Sequence, residues 1–293
     1  MSTGLAVPRA HTGGTARRIY AMLLRHLYIL RGSLPRLLEL AYWPTMQMII
    51  WGFMSTFLAT NSSWVAQAGG VLLAAVLLWD VLFRGQLGLS LSFMEEMWSR
   101  NLGHLFVSPL RPAELVASMM AMSFIRTLIG VGPAALLCIV FYDYSVFSLG
   151  LPLIAFFINL IMLGWALGLL VVALLLRFGL GAENLAWFIG FMMAPISAVY
   201  YPVTALPEWL QAVAWSLPAT YVFEGMRAVL FEHRFRLDLL TGAVALNLLY
   251  LSAAFALFMA AFQSARRRRA QIREVVVVVV VPEATGSGAL QPK

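Results

Sequence analysis

The sequence predicts an all-α membrane protein. It has six transmembrane helices, an amphipathic interfacial helix ahead of them, a short cytoplasmic surface helix and an extracytoplasmic re-entrant helical hairpin. Three observations carry this reading. Of the 293 residues, 61% are hydrophobic and 11% charged, whereas a soluble domain carries about 25% charged residues. Six mostly apolar stretches, about 37–59, 70–93, 115–141, 149–176, 184–205 and 239–263, approach or exceed the roughly 20 residues a spanning helix needs. The net charge of +7 comes almost wholly from arginines beside these stretches, which is the pattern of a membrane protein and not of a nucleic-acid binder.

The chain divides into a cytoplasmic N-terminal segment, 1–36, a six-span transmembrane domain, 37–265, and a basic, then disordered, tail, 266–293. Residues 1–14 are polar and expected to be disordered, and residues 1–36 lack the apolar core and cleavage site of a signal peptide. Over residues 15–32, Arg17, Arg18, Arg25 and Arg31 alternate with Ile19, Tyr20, Leu23, Leu24, Leu27 and Leu30. This is the pattern of a basic amphipathic helix lying in the interface and touching lipid. The first span contains Pro44, where a kink is expected. The fifth is the least regular, with Pro195 and Pro202.

Orientation follows from arginine bias. Six arginines and no acid precede residue 37, and five arginines fall within Arg266–Arg273. An even number of spans puts both termini on one side, the cytoplasm. Thr60–Gly69, Tyr142–Ser148 and Leu206–Asp238 then lie outside. Asn61-Ser62-Ser63 in the first of these loops is a glycosylation sequon.

Between the second and third spans lies a polar island, Glu95–Glu114. Glu95 and Glu96 suit the positive end of a helix dipole, and Met97, Leu102, Leu105 and Phe106 would give that helix one apolar face. Ser108-Pro109 stops it, because the residue before proline leaves the helical region. Pro112 suits the first turn of the next span.

The outer segment Leu206–Asp238 is too apolar for a solvated loop and is broken by Pro218, so it reads as two half-helices shielded by protein. Trp209, Trp215 and Tyr221 suit the lipid–water boundary. Glu224 and Arg227 lie three residues apart on the second half-helix, within reach of one another. In the tail, the valine run Val275–Val281 is strand-prone and too short to span.

Three charges fall inside spans. Asp80 and Arg126 each lie about 11 residues into their spans from opposite faces and so reach similar depth, with Arg84 one turn from Asp80. Intramembrane charges pair or mark a route, so Asp80, Arg84 and Arg126 are expected to form one cluster. It either pins two spans together or offers spare positive charge to an anionic head group. Trp187, Phe188, Phe191, Tyr200 and Tyr201 are candidates for lining a route.

Enzyme chemistry finds no foothold. Lys293 is the sole lysine, so the chain has no internal Gly-Lys-Ser/Thr of a phosphate-cradling loop, and energy from ATP would come from another chain. His11, His26, His104 and His233 are scattered, with no His-Glu-x-x-His pair for zinc. No serine sits in a Gly-x-Ser-x-Gly setting. No catalytic residue and no metal site are expected. The single Cys138 allows no internal disulfide.

Two stretches resemble one family. Val-Ser-Pro-Leu-Arg-Pro-Ala-Glu-Leu, Val107 to Leu115, is similar to the cytoplasmic coupling segment of ABC-2-type transporter permeases. Tyr201-Pro-Val-Thr-Ala-Leu-Pro-Glu-Trp-Leu-Gln, followed by Leu217-Pro-Ala-Thr-Tyr through Glu224 and Arg227, is similar to the family's re-entrant signature. Many members have glycine followed by Thr-Leu where Arg100-Asn101-Leu102 stands here. The resemblance implies a half-transporter. Two copies would pair over two separate ABC ATPase subunits, which bind the ATP and Mg, to export a polysaccharide, glycolipid or hydrophobic drug. On this reading Glu95, Glu96, Arg100, His104, Leu105, Phe106, Ser108 and Pro109 form the ATPase-coupling site. Pro202, Pro207, Glu208, Pro218, Tyr221, Glu224 and Arg227 form the outer re-entrant gate. The competing reading is a secondary transporter or channel that uses Asp80, Arg84 and Arg126.

Overall fold

The computed structural model describes residues 14–61 and 63–280, and the regular elements among them are all helical. Helix α1, Thr15–Arg31, is the amphipathic segment and ends at Gly32. After one turn comes α2, Leu34–Asn61, which runs through Pro44, and then α3, Ser63–Trp98. The polar island holds α4, Leu102–Val107. Helix α5, Pro112–Tyr142, starts on its proline, and α6 is Leu151–Phe178. Helix α7, Asn184–Ile196, is short. The outer segment folds as α8, Glu208–Trp215, and α9, Pro218–Glu232, before the long α10, Leu237–Val280.

Among the described residues, four helices are long and apolar enough to cross a membrane: Gly70–Trp98, Pro112–Tyr142, Leu151–Phe178 and Leu237–Arg267. Helix α3 is the axis of the bundle. In its apolar window 83% of residues are buried, against 22% for α10, so α3 is wrapped by protein while α10 lies at the rim. It packs against α2, α5, α6 and α7, and α10 packs on α6 and α9. The α3–α6 contact is a backbone approach. A Cβ at Gly164 would come 2.7 Å from the Leu82 carbonyl, and one at Gly168 would come 3.0 Å from that of Gln86. Two small residues one turn apart let helices meet this closely where lipid supplies no hydrophobic drive. Between α6 and α10 the buried Asn247 amide donates to the Asn159 side-chain oxygen at 2.9 Å and to its carbonyl at 3.0 Å.

Several expectations change. The fifth stretch, 184–205, is not one continuous helix. Helix α7 has 13 residues, about 20 Å at the helical rise, and the chain then turns. The outer loop expected at 60–69 is absorbed by the end of α2 and the start of α3, and Ser62 of the sequon lies outside the described residues. The valine run is helical to Val280 as a continuation of α10. Extending an existing helix avoids nucleation, and β-branching costs only a few tenths of a kcal/mol per residue, about the spread among ordinary residues. Of the segments expected to be disordered, 1–14 and 282–293, all but Gly14 lie outside the described residues, as does Val281 of the valine run.

Candidate functional site

The polar island is organised by how α3 stops. The Asn101 N–H donates to the Glu96 carbonyl at 3.0 Å and the Arg100 N–H to that of Met97 at 3.0 Å, the nested bonds of a Schellman ending. Arg100 holds the left-handed position of that motif, with φ of 53°. Glycine is preferred there because it has no Cβ to crowd the backbone. This is the position at which the resembling permeases commonly carry glycine.

Glu95 and Glu96 therefore belong to the last turn of α3, and not to the start of the surface helix where the local dipole rule puts them. Carboxylates at a helix C-terminus are disfavoured, and cations from three other helices offset this. Arg126 of α5 donates to the two Glu95 oxygens at 3.0 and 2.9 Å. Arg36 of α2 reaches Glu95 at 3.3 Å, and His26 Nδ1 of α1 lies 3.7 Å from it. Arg25 of α1 meets Glu96 at 2.9 Å, and Asn101 Nδ2 donates to the same carboxylate at 2.6 Å. Farther along, Arg18 donates to both oxygens of Glu114 at 2.8 and 2.6 Å. Glu114 also accepts the Arg111 N–H at 2.9 Å, the carboxylate half of a capping box. Helix α1 is thus strapped by its basic face to the ends of α3 and α5.

The surface that remains is narrow. Glu96 and Leu105 are buried, and the Phe106 ring sits 5.0 Å from that of Phe262 on α10. Ser108 Oγ donates to the Leu105 carbonyl at 2.8 Å and closes the turn before Pro109. Trp98, Arg100, His104, Val107 and Pro109 face outward, Val107 with 78% of its surface exposed. Of the expected coupling residues, Glu95, Glu96, Leu105 and Phe106 face the chain's own interior, and only Arg100, His104 and Pro109 lie on the surface.

The charge cluster also differs from expectation. Arg126 pairs with Glu95 and not with Asp80, because a long arginine side chain carries its charge toward the end of the neighbouring helix. Asp80 and Arg84 stay together on α3, both buried. No ion pair engages either among the described residues. Asp80 Oδ2 and Arg84 Nε have no hydrogen-bond partner. Arg84 rests where Gly130 of α5 leaves room, since a Cβ there would lie 2.7 Å from Nε.

All three charges line one cavity of about 370 Å³ between α2, α3 and α7. Trp43, Phe83, Trp187 and Phe191 wall it, with Phe83 and Phe191 5.1 Å apart. Two bonds cross its α1 end, Arg36 to Glu95 and Trp98 Nε1 to Glu183 at 3.3 Å each. Of the other aromatics proposed to line a route, Phe188 points outward, Tyr200 stacks on Trp51 at 4.9 Å and the Tyr201 hydroxyl donates to the Pro195 carbonyl at 2.7 Å.

At the opposite end the hairpin is broken where its prolines sit. Pro202 precedes the short turn Val203–Ala205, Pro207 caps α8 with Glu208 exposed behind it, and Pro218 opens α9. Tyr221 meets the Trp215 ring at 5.0 Å and fills the space over Gly242 of α10. Glu224 and Arg227 pair at 3.0 Å. Arg227 also donates to the carbonyls of Val199 and Ala198 at 3.2 and 2.9 Å, and Glu224 accepts the Val203 N–H at 2.8 Å. The pair fastens the loop between α7 and α8, in which Ala198 has a φ of 51°.

Sequence reasoning missed Arg18, Arg25, His26, Arg36 and Glu114 as partners within the chain. The available signal was complementarity: arginines without acids before residue 37, and three glutamates on the island. Glu39 and Glu183, which also line the cavity, carry no local signal.

The family model for the ABC-2 type transporter matches residues 36–231, from the start of α2 almost to the end of α9. No curated protein matches the chain. The match spans more than half of the sequence, and it covers three of the four membrane-length helices together with the island and the hairpin. The chain belongs to the ABC-2 type transporter family and is a transmembrane permease of that family.

Proposed function

We propose that this chain is the membrane subunit of an ATP-binding-cassette exporter. Two copies pair over separate ATPase subunits and export a polysaccharide, a glycolipid or a hydrophobic drug. Helices α2 and α7 complete six spans, both termini lie in the cytoplasm, and the membrane is the plasma, bacterial inner, membrane. ATP and Mg are bound by the partner ATPase, and no residue of this chain takes part in hydrolysis.

The observation that carries this reading is the outward strip Trp98, Arg100, His104, Val107 and Pro109. It is a set of exposed apolar and basic side chains on a turn whose inner side packs against the core through Leu105 and Phe106. A push on α4 passes directly to α3, the axis, and through Glu95 to α1, α2 and α5. ATP-driven closure of the ATPase pair would move these turns together and open a route outward.

The test is co-purification of the full-length chain with the ATPase encoded beside it. Val107→Asp, at an exposed position, is expected to abolish co-purification while leaving the chain folded. Leu105→Asp is expected to unfold it. An ATPase that binds the Val107→Asp chain as tightly as wild type would place the contact elsewhere.

A further inference from the structure

Resting on the permease reading above, we propose that the cavity between α2, α3 and α7 is a binding site for drug-sized amphiphilic cations. Its volume of about 370 Å³ is that of a small-molecule pocket, about 300–1,000 Å³, and it holds at most a short piece of a polymer. Its aromatic walls, Trp43, Phe83, Trp187 and Phe191, offer the ring faces that attract a cation.

The sign of the ligand follows from counting partners. Four carboxylates, Glu39, Asp80, Glu95 and Glu183, line the cavity against three guanidiniums, Arg36, Arg84 and Arg126, and Arg126 and Arg36 both lie on Glu95. The lining as a whole therefore carries one more carboxylate than guanidinium. Asp80 is 2% exposed, lines the cavity, and its Oδ2 has no hydrogen-bond partner among the described residues. A buried carboxylate left in this state is costly until an opposite charge meets it. The cavity is therefore short of one positive charge, and an amphiphilic cation supplies both the charge and the apolar surface for the walls. An anionic head group would meet a lining in which carboxylates outnumber guanidiniums.

The experiment uses two ions of the same shape and opposite charge, tetraphenylphosphonium and tetraphenylborate. Binding to the full-length chain in lipid nanodiscs is read by tryptophan quenching and equilibrium dialysis, with empty nanodiscs as the baseline. Saturable binding of the phosphonium is expected, with the borate binding no better than to empty discs. Asp80→Asn, nearly isosteric, is expected to weaken phosphonium binding at least about tenfold, the scale of one unit charge a few ångströms away in a protein interior. Trp187→Ala is expected to weaken it about threefold or more. Equal or tighter binding of the borate, uptake no greater than into empty discs, or undiminished affinity in Asp80→Asn would overturn the proposal. No ATPase is present in this measurement, so failure here leaves the exporter reading standing, and failure of ATPase co-purification leaves the site standing.

Discussion

Glu95 is the residue on which most elements converge, and its environment makes a sharp forecast. It holds Arg126, itself 3% exposed, together with Arg36, and lies beside His26. Removing one member of a buried pair strands the other and costs about 3–5 kcal/mol. Glu95→Gln is expected to lower unfolding stability by about 3 kcal/mol, read as a fall in melting temperature in detergent. Asp80→Asn relieves a buried carboxylate without an ion-pair partner among the described residues but also withdraws the negative charge acting on Arg84 one turn away. These opposed effects are expected to leave the melting temperature little changed. If Asp80→Asn proves the more damaging of the two, Arg126 pairs with Asp80 after all. That pairing is where sequence reasoning stopped short. Helical rise put Asp80 and Arg126 at one depth, and depth is all that spacing reports. It does not report how far an arginine side chain travels along its helix, and that length let Arg126 reach Glu95.

At the scale of single elements, Arg100 stands where a Schellman ending favours glycine. A side chain in the left-handed region costs about 1 kcal/mol or somewhat more. Arg100→Gly is expected to stabilise the chain by about 1 kcal/mol, seen as a raised melting temperature. A fall would mean that the Arg100 side chain holds the turn by contacts of its own. In the hairpin, Glu224→Gln loses the charged acceptor of Val203 N–H and the partner of Arg227, a loss of about 1.5–3 kcal/mol. A gate would lose export by more than it loses stability. Equal losses would make the pair purely a fastening for the 197–203 loop. Much of this scale was legible in the sequence. Ser108-Pro109 and Pro112 mark the turn between α4 and α5, Pro218 splits the hairpin, and the Glu224–Arg227 spacing is a pair. The acids of α3 were not, because a dipole rule reads one helix at a time, whereas Glu95 and Glu96 are stabilised by arginines remote in sequence. The early stop of α7 was also hidden, since an apolar run continues through Val199 while the backbone turns at Ile196.

Across the whole molecule, the fold is an axis, α3, with helices held to it by close backbone contact on one side and by ion pairs on the other. The contact side is unforgiving. Gly164→Leu would place a side chain against the Leu82 carbonyl, and the chain is expected not to accumulate in the membrane, as judged by yield of folded protein in detergent. On the exporter reading proposed above, the ion-paired side would transmit motion, because α1, α2 and α5 all meet Glu95 beside the α4 turn. The most direct measurement of whether this permease is driven through that turn is ATP hydrolysis by the partner ATPase, reconstituted in proteoliposomes with the wild-type chain or with Val107→Asp. Wild type is expected to raise hydrolysis above that of the ATPase alone, and the variant, inserted at equal level and equal melting temperature, is expected to return it to that baseline. Stimulation by the Val107→Asp chain equal to wild type, or none by either, would contradict coupling through α4.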